Sequence, residues 1–129
     1  SKNLAILLKT FGEIVCFSEE SKFDAVTAIS GSGPAYIFLI AELMIEAGIN
    51  MGLSSEESFK LVKHTIDGAG SLIVNSSLGP QKLRENVTSP GGTTHEALVI
   101  MMNKENGLSK IFSSAIEAAA KRSQELGKV

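Results

Sequence analysis

Apolar residues recur at helical spacing through most of the chain. After Ser54-Ser55-Glu56-Glu57, the residues Phe59, Val62, Ile66, Ala69 and Ile73 share one face, and Lys60 and His64 fall on the other. Ser54 is expected to be the N-cap of that helix, with Glu57 reaching back to complete a capping box. Near the C-terminus Ile111, Phe112, Ala115, Ile116 and Ala119 repeat the pattern, predicting a helix from Leu108 to about Leu126. Lys121 and Arg122 stand in its final turns, where cations suit the helix dipole. A third segment differs. From Pro34, a residue favoured in a first turn, a helix is predicted to about Met51, and Tyr36–Met51 is apolar almost all round. Such a helix is buried centrally or lies in an oligomer interface. Glu42 and Glu46, one turn apart, are read as its single polar stripe, because no neighbour in sequence would tune one acid against the other.

The remaining elements are shorter. Lys2–Thr10 reads as a short helix, apolar on one side and ended by Gly12. Glu13–Phe17 is the only β-like run, and it lacks an evident partner. Asp24–Ile29 reads as a helical stretch stopped by Gly31-Ser32-Gly33. Gln81 to about Glu85 and Thr94–Met102 are read as two further short helices. Gly68 and Gly70, inside a helix, cost about 1 kcal/mol each relative to alanine, and close helix packing is the expected reason for them. The predicted fold is therefore all-α, a helical bundle with one short strand near residues 13–17. Its most apolar helices, unless they pair with each other, call for dimerisation.

Composition narrows the function classes. The chain has 129 residues and a formal net charge of -2, with 20% charged and 43% hydrophobic residues. One domain is expected. No basic run with interleaved aromatics is present, which argues against nucleic acid. The uncharged stretch Ala25–Ala41 is broken by Ser30-Gly31-Ser32-Gly33-Pro34 and followed by Glu42, so no membrane span is expected. Cys16 is the only cysteine, so an intrachain disulfide is impossible and a cytoplasmic location is the default. His64 and His95 are far apart and no cysteine accompanies either, so no metal site is expected. The chain begins at Ser1 without a signal-like segment. Lacking a start methionine, it is expected to be a processed chain or part of a longer one.

Little familiar catalytic apparatus is on offer. Ser30-Gly31-Ser32-Gly33 lacks the third glycine and the preceding strand of a dinucleotide loop, and Pro34 removes a backbone donor. The stretch "TSPGGTTHEA", Thr88–Ala97, is richer. Ser89 and Pro90 suit an N-cap and first helical position, which would leave the N–H groups of Gly91, Gly92, Thr93 and Thr94 without helical partners. Glycines admit close approach, and donors and dipole together favour an anion such as a small carboxylate. The other reading is a double cap, with Ser89 opening a turn and Thr93-x-x-Glu96 forming a second capping box. Both stay open on these grounds.

"LRENVTSPGGTTHEAL" closely resembles the signature of the pyrroline-5-carboxylate reductases, as do "FDAVTAISGSGPAYIFLIAELMIEAGINMGLS" and the glycine-containing helix "TIDGAGSLI". The resemblance is in order and runs from Ser1 to Gly127. It implies the carboxy-terminal, all-α dimerisation domain of a two-domain oxidoreductase. An amino-terminal Rossmann domain would bind NADPH or NADH, and residues 1–17 would be the junction to it, with 18–129 the dimerisation and substrate-binding domain. The implied reaction reduces 1-pyrroline-5-carboxylate to L-proline, in a homodimer or higher homo-oligomer. By position, Ser89, Gly92 and Thr93 would take the substrate carboxylate. Thr94 would meet the ring nitrogen as proton donor or relay, and Asn86 would lie near the nicotinamide. His95 stands where the family usually has an apolar residue, and "MMNKENGLSKIF" replaces a more usual acidic, glycine-rich turn. This chain alone is expected to be inactive. The alternatives are a helical domain of another imine or β-hydroxyacid reductase, or a stand-alone dimerisation module.

Overall fold

The computed structural model describes residues 4–8, 13–17 and 22–128. The chain opens on an antiparallel hairpin of β1 (Leu4–Leu8) and β2 (Glu13–Phe17), in a register that pairs Leu4 with Phe17 and Leu8 with Glu13. The short helix expected over Lys2–Thr10 is thus a strand where it is described, and β2 has the partner it lacked. A short unbroken apolar run such as Leu4–Leu8 fits a buried strand as well as a helix, and long-range pairing decides between them.

Helices make up the rest: α1 (Phe23–Val26), α2 (Gly33–Asn50), α3 (Ser55–Asn75), α4 (Pro80–Asn86), α5 (Thr93–Met101) and α6 (Leu108–Gly127). The chain divides into two compact units. One holds the described residues up to Tyr36 together with those from Lys104 onward, and the other is Ile37–Asn103.

In the first unit, α1 does not simply stop at the glycines. It passes into a π-turn, Thr27–Gly31, before α2 begins at Gly33 with Pro34 in its first turn. A π-turn widens the backbone ring and leaves carbonyls poorly served by the helix itself. Tyr36 answers this by donating its hydroxyl to the Ala28 carbonyl at 2.7 Å. Ala28 is fully buried, and an unpaired carbonyl there would cost about 1–3 kcal/mol. The Tyr36 ring also meets Phe112 of α6 edge to face, with centroids 6.4 Å apart. Ser123 of α6 donates to the Asp24 carboxylate at 2.7 Å, tying the last helix to the first.

In the second unit, Ser54 caps α3 as expected, accepting from the Glu57 N–H at 3.0 Å. The return bond of a capping box does not form. Ser58, one turn on, is almost fully buried and donates to the Ile45 carbonyl of α2 at 2.8 Å. Gly52 makes the reversal between the two helices with a positive φ of 107°. Beyond the backbone of its own helix, a Cβ at Gly68 or Gly70 would meet no heavy atom of the described residues within 4 Å. Close packing against those residues is therefore not what the two glycines serve.

Among the described residues only Ala28 and Val62 are buried hydrophobics. Ile37, Phe38, Leu39, Leu43, Met44 and Ile49 of α2 all remain exposed. A helix of that kind requires another surface around it. By length and composition the run Phe23–Asn50 could also cross a membrane.

Candidate functional site

The loop after α4 is built as a turn followed by a bare helix start. Thr88 donates its hydroxyl to the Arg84 carbonyl at 2.6 Å, closing the end of α4. Gly92 then donates its N–H to the Ser89 carbonyl at 3.1 Å. The enclosed pair is Pro90 and Gly91, and Gly91 has a φ of 70°. Proline followed by a glycine of positive φ is the type II pattern. The expected placement of Ser89 as N-cap and Pro90 as first helical residue is corrected: α5 starts at Thr93 and its N-cap is Gly92. Thr93 is consequently inside the helix and does not cap it, so the second capping box is absent as well.

Both glycines have local reasons. Gly91 supplies the left-handed backbone of the turn. A Cβ on Gly92 would come within 2.5 Å of the Ser89 Oγ and 3.3 Å of the Ser89 carbonyl oxygen. Gly-Gly therefore does not by itself require a ligand. The helix start makes the stronger case. No side chain caps α5, so the N–H groups of Thr93, Thr94 and His95 point out of its first turn without helical acceptors. The next N–H, that of Glu96, already bonds to the Gly92 carbonyl at 3.2 Å. The Ser89 hydroxyl is held beside this edge. Ser89, Thr93 and Thr94 are exposed, and Gly92 is half-buried. Three open backbone donors and the helix dipole stand at this start with the Ser89 Oγ beside Gly92, an arrangement that suits a carboxylate.

The structure brings Ser89, Gly92, Thr93 and Thr94 into that one turn. It sets Asn86 apart: the residue ends α4 and lines an apolar cleft of about 300 Å³ with Ala69, Leu72 and Ile73 of α3 and with Leu83 and Val87. His95, one residue past Thr94, lines a different cleft of about 470 Å³, with Arg84, Glu85 and Thr88 on the α4 side. The sequence pattern gives neither Arg84 nor Thr88 a role, although Arg84 stands four residues after Pro80 and Thr88 four after Arg84, about one helical turn each. Glu42 and Glu46 are both exposed, as a solvated stripe would be. Among the described residues no group of three His, Cys, Asp or Glu side chains could hold a metal ion.

A family model described as pyrroline-5-carboxylate reductase dimerisation matches residues 20–126. A pyrroline-5-carboxylate reductase of Corynebacterium melassecola is 43% identical over 122 residues, covering 95% of this chain and 44% of that protein. One of Pseudomonas aeruginosa is 42% identical over 120 residues, with 93% and 43% covered. Among solved structures, a pyrroline-5-carboxylate reductase from Coxiella burnetii superposes with a TM-score of 0.80 at 39% identity, over 85% of this chain and 40% of that one. A Plasmodium falciparum pyrroline carboxylate reductase with NADP bound gives 0.78 at 39% identity, over 84% and 41%. The chain spans less than half the length of the curated relatives it matches.

Proposed function

The chain belongs to the pyrroline-5-carboxylate reductase dimerisation family, and from that membership we propose that it forms the dimerising, substrate-holding part of a cytoplasmic reductase that makes L-proline from 1-pyrroline-5-carboxylate. In this reading residues 1–17 join it to an amino-terminal cofactor domain and 18–129 form the helical domain. The start of the family match at residue 20 supports that division.

The uncapped start of α5 carries the proposal. Ser89, Gly92 and Thr93 take the substrate carboxylate. Gly92 contributes mainly by lacking a side chain, because its N–H is already engaged by Ser89. The open donors are the N–H groups of Thr93, Thr94 and His95 with the Ser89 hydroxyl. Thr94 faces the imine nitrogen. A threonine hydroxyl is too weak an acid to give up its proton unaided near neutral pH, so Thr94 orients the ring and relays a proton through water. Asn86, at the rim of the apolar cleft, takes the nicotinamide side. NADPH or NADH, held mainly by the cofactor domain, supplies the hydride that reaches the C=N carbon when bound.

The activity test compares two proteins. The two-domain protein should oxidise NADPH or NADH in the presence of 1-pyrroline-5-carboxylate, and the 129-residue chain alone should not. Turnover by the short chain comparable to that of the two-domain protein overturns this division of labour. Failure of the two-domain protein on this substrate, with turnover of another cyclic imine or a β-hydroxyacid, favours a different reductase.

Assembly is tested separately. The exposed apolar sides of α2 are assigned to a second copy and not to lipid, since Ser30 and Ser32 interrupt the run and Glu42 and Glu46 stand within it. Sedimentation at micromolar concentration should show a homodimer or a higher homo-oligomer. A clean monomer is incompatible with this assignment.

A further inference from the structure

We propose that the cleft between α4 and α5 is a second binding site, for a small carboxylate with an apolar body, held by Arg84 and His95. Arg84 is half-buried and makes no ion pair among the described residues. Glu85 lines the same cleft, and both of its carboxylate oxygens have partners along its own helix. One carboxylate oxygen accepts from Gln81 at 3.1 Å, and the other lies 4.0 Å from the Lys82 ammonium. The Thr88 hydroxyl is also committed, to the Arg84 carbonyl. Of the residues lining the cleft, Arg84 and His95 carry side-chain donors that make no hydrogen bond or ion pair among the described residues, and Arg84 also borders the neighbouring apolar cleft.

A half-buried arginine that lacks a counter-charge within the chain's described residues is matched by an oxyanion. The planar fork of arginine matches a carboxylate through two parallel N–H bonds. The facing wall is of another kind: Leu98, Val99 and Met102 line it from α5 and its end. A bare phosphate would leave that wall wet, whereas a carboxylate carrying a hydrocarbon or aromatic body covers both halves. The volume of about 470 Å³ is adequate for such a molecule. None of Ser89, Gly92, Thr93 and Thr94 lines the cleft, so it is distinct from the carboxylate site assigned to the reductase substrate.

Proton–carbon NMR on the His95 imidazole of the full chain tests this, with benzoate and inorganic phosphate titrated separately. Benzoate should shift the His95 signals saturably. Arg84→Gln should weaken that binding about 10-fold, the loss expected for one charge-assisted contact. Arg84→Lys, which keeps the charge but not the fork, should fall between the two. Ser89→Ala should leave it unchanged. An equal response in Arg84→Gln, no saturable response at all, or phosphate binding as tightly as benzoate would each overturn the proposal.

Discussion

Thr94→Ala in the two-domain protein is expected to lower kcat about 100-fold, within the range for losing one positioned proton-transfer group. Thr94 is the second residue of α5, exposed, and its hydroxyl makes no hydrogen bond among the described residues. Exposed helical positions without such partners tolerate alanine within about 0.5 kcal/mol. Stability and rate should therefore separate, with an unfolding midpoint close to that of the parent. KM should change far less than kcat, because the carboxylate is assigned to Ser89 and to backbone donors that the substitution leaves in place. Thr94→Ser should restore most of the rate by keeping the hydroxyl. If kcat and KM are both unchanged in Thr94→Ala, the residue has no part in the chemistry.

Gly48→Ala should destabilise the protein by about 3 kcal/mol, combining overpacking with damage to a buried hydrogen bond. A Cβ at Gly48 would collide with the Ser58 Oγ and lie 3.2 Å from the Ser58 Cβ and 3.3 Å from the Leu53 Cδ1. The hydroxyl cannot retreat cheaply, because Ser58 is 1% exposed and bonded to the Ile45 carbonyl. Denaturant unfolding of Gly48→Ala, Ser58→Ala and the double variant measures the effect. Ser58→Ala removes the obstructing oxygen, so the double variant should lose less than the two single losses added together. Strict additivity would show that the Gly48–Ser58 contact is not the source of the loss.

Legibility in the sequence tracked how local each determinant is. The Ser54 cap was readable because an N-cap oxygen and the N–H that donates to it lie three residues apart. So was the start of α6 at Leu108. The strand Leu4–Leu8 was misread because an apolar run acquires its meaning from a pairing partner, here β2. At Thr88–Ala97 the residue types pointed correctly to a turn and an open helix start, yet the start was placed too early. Pro90-Gly91 suits either a first helical position or the middle of a turn, and the Gly92–Ser89 bond chooses the turn. That choice removed the double cap as an explanation and also gave both glycines a structural purpose.

By itself the sequence determined that this protein is mostly helical, that α2 is too apolar to stand in water, and that its long motifs resemble one reductase family. Those properties depend on residue type and short spacing, which the chain carries whatever its tertiary arrangement. Only the tertiary structure decided that Ser58 comes round the Gly52 turn to fill the space beside Gly48, and that Tyr36 closes a π-turn at Ala28. It also decided that His95 lines the Arg84 cleft, which Thr94 does not. Adjacent residues on a helix point about 100° apart, so neighbours in sequence serve different faces, and only the packing around α5 assigns each face its task.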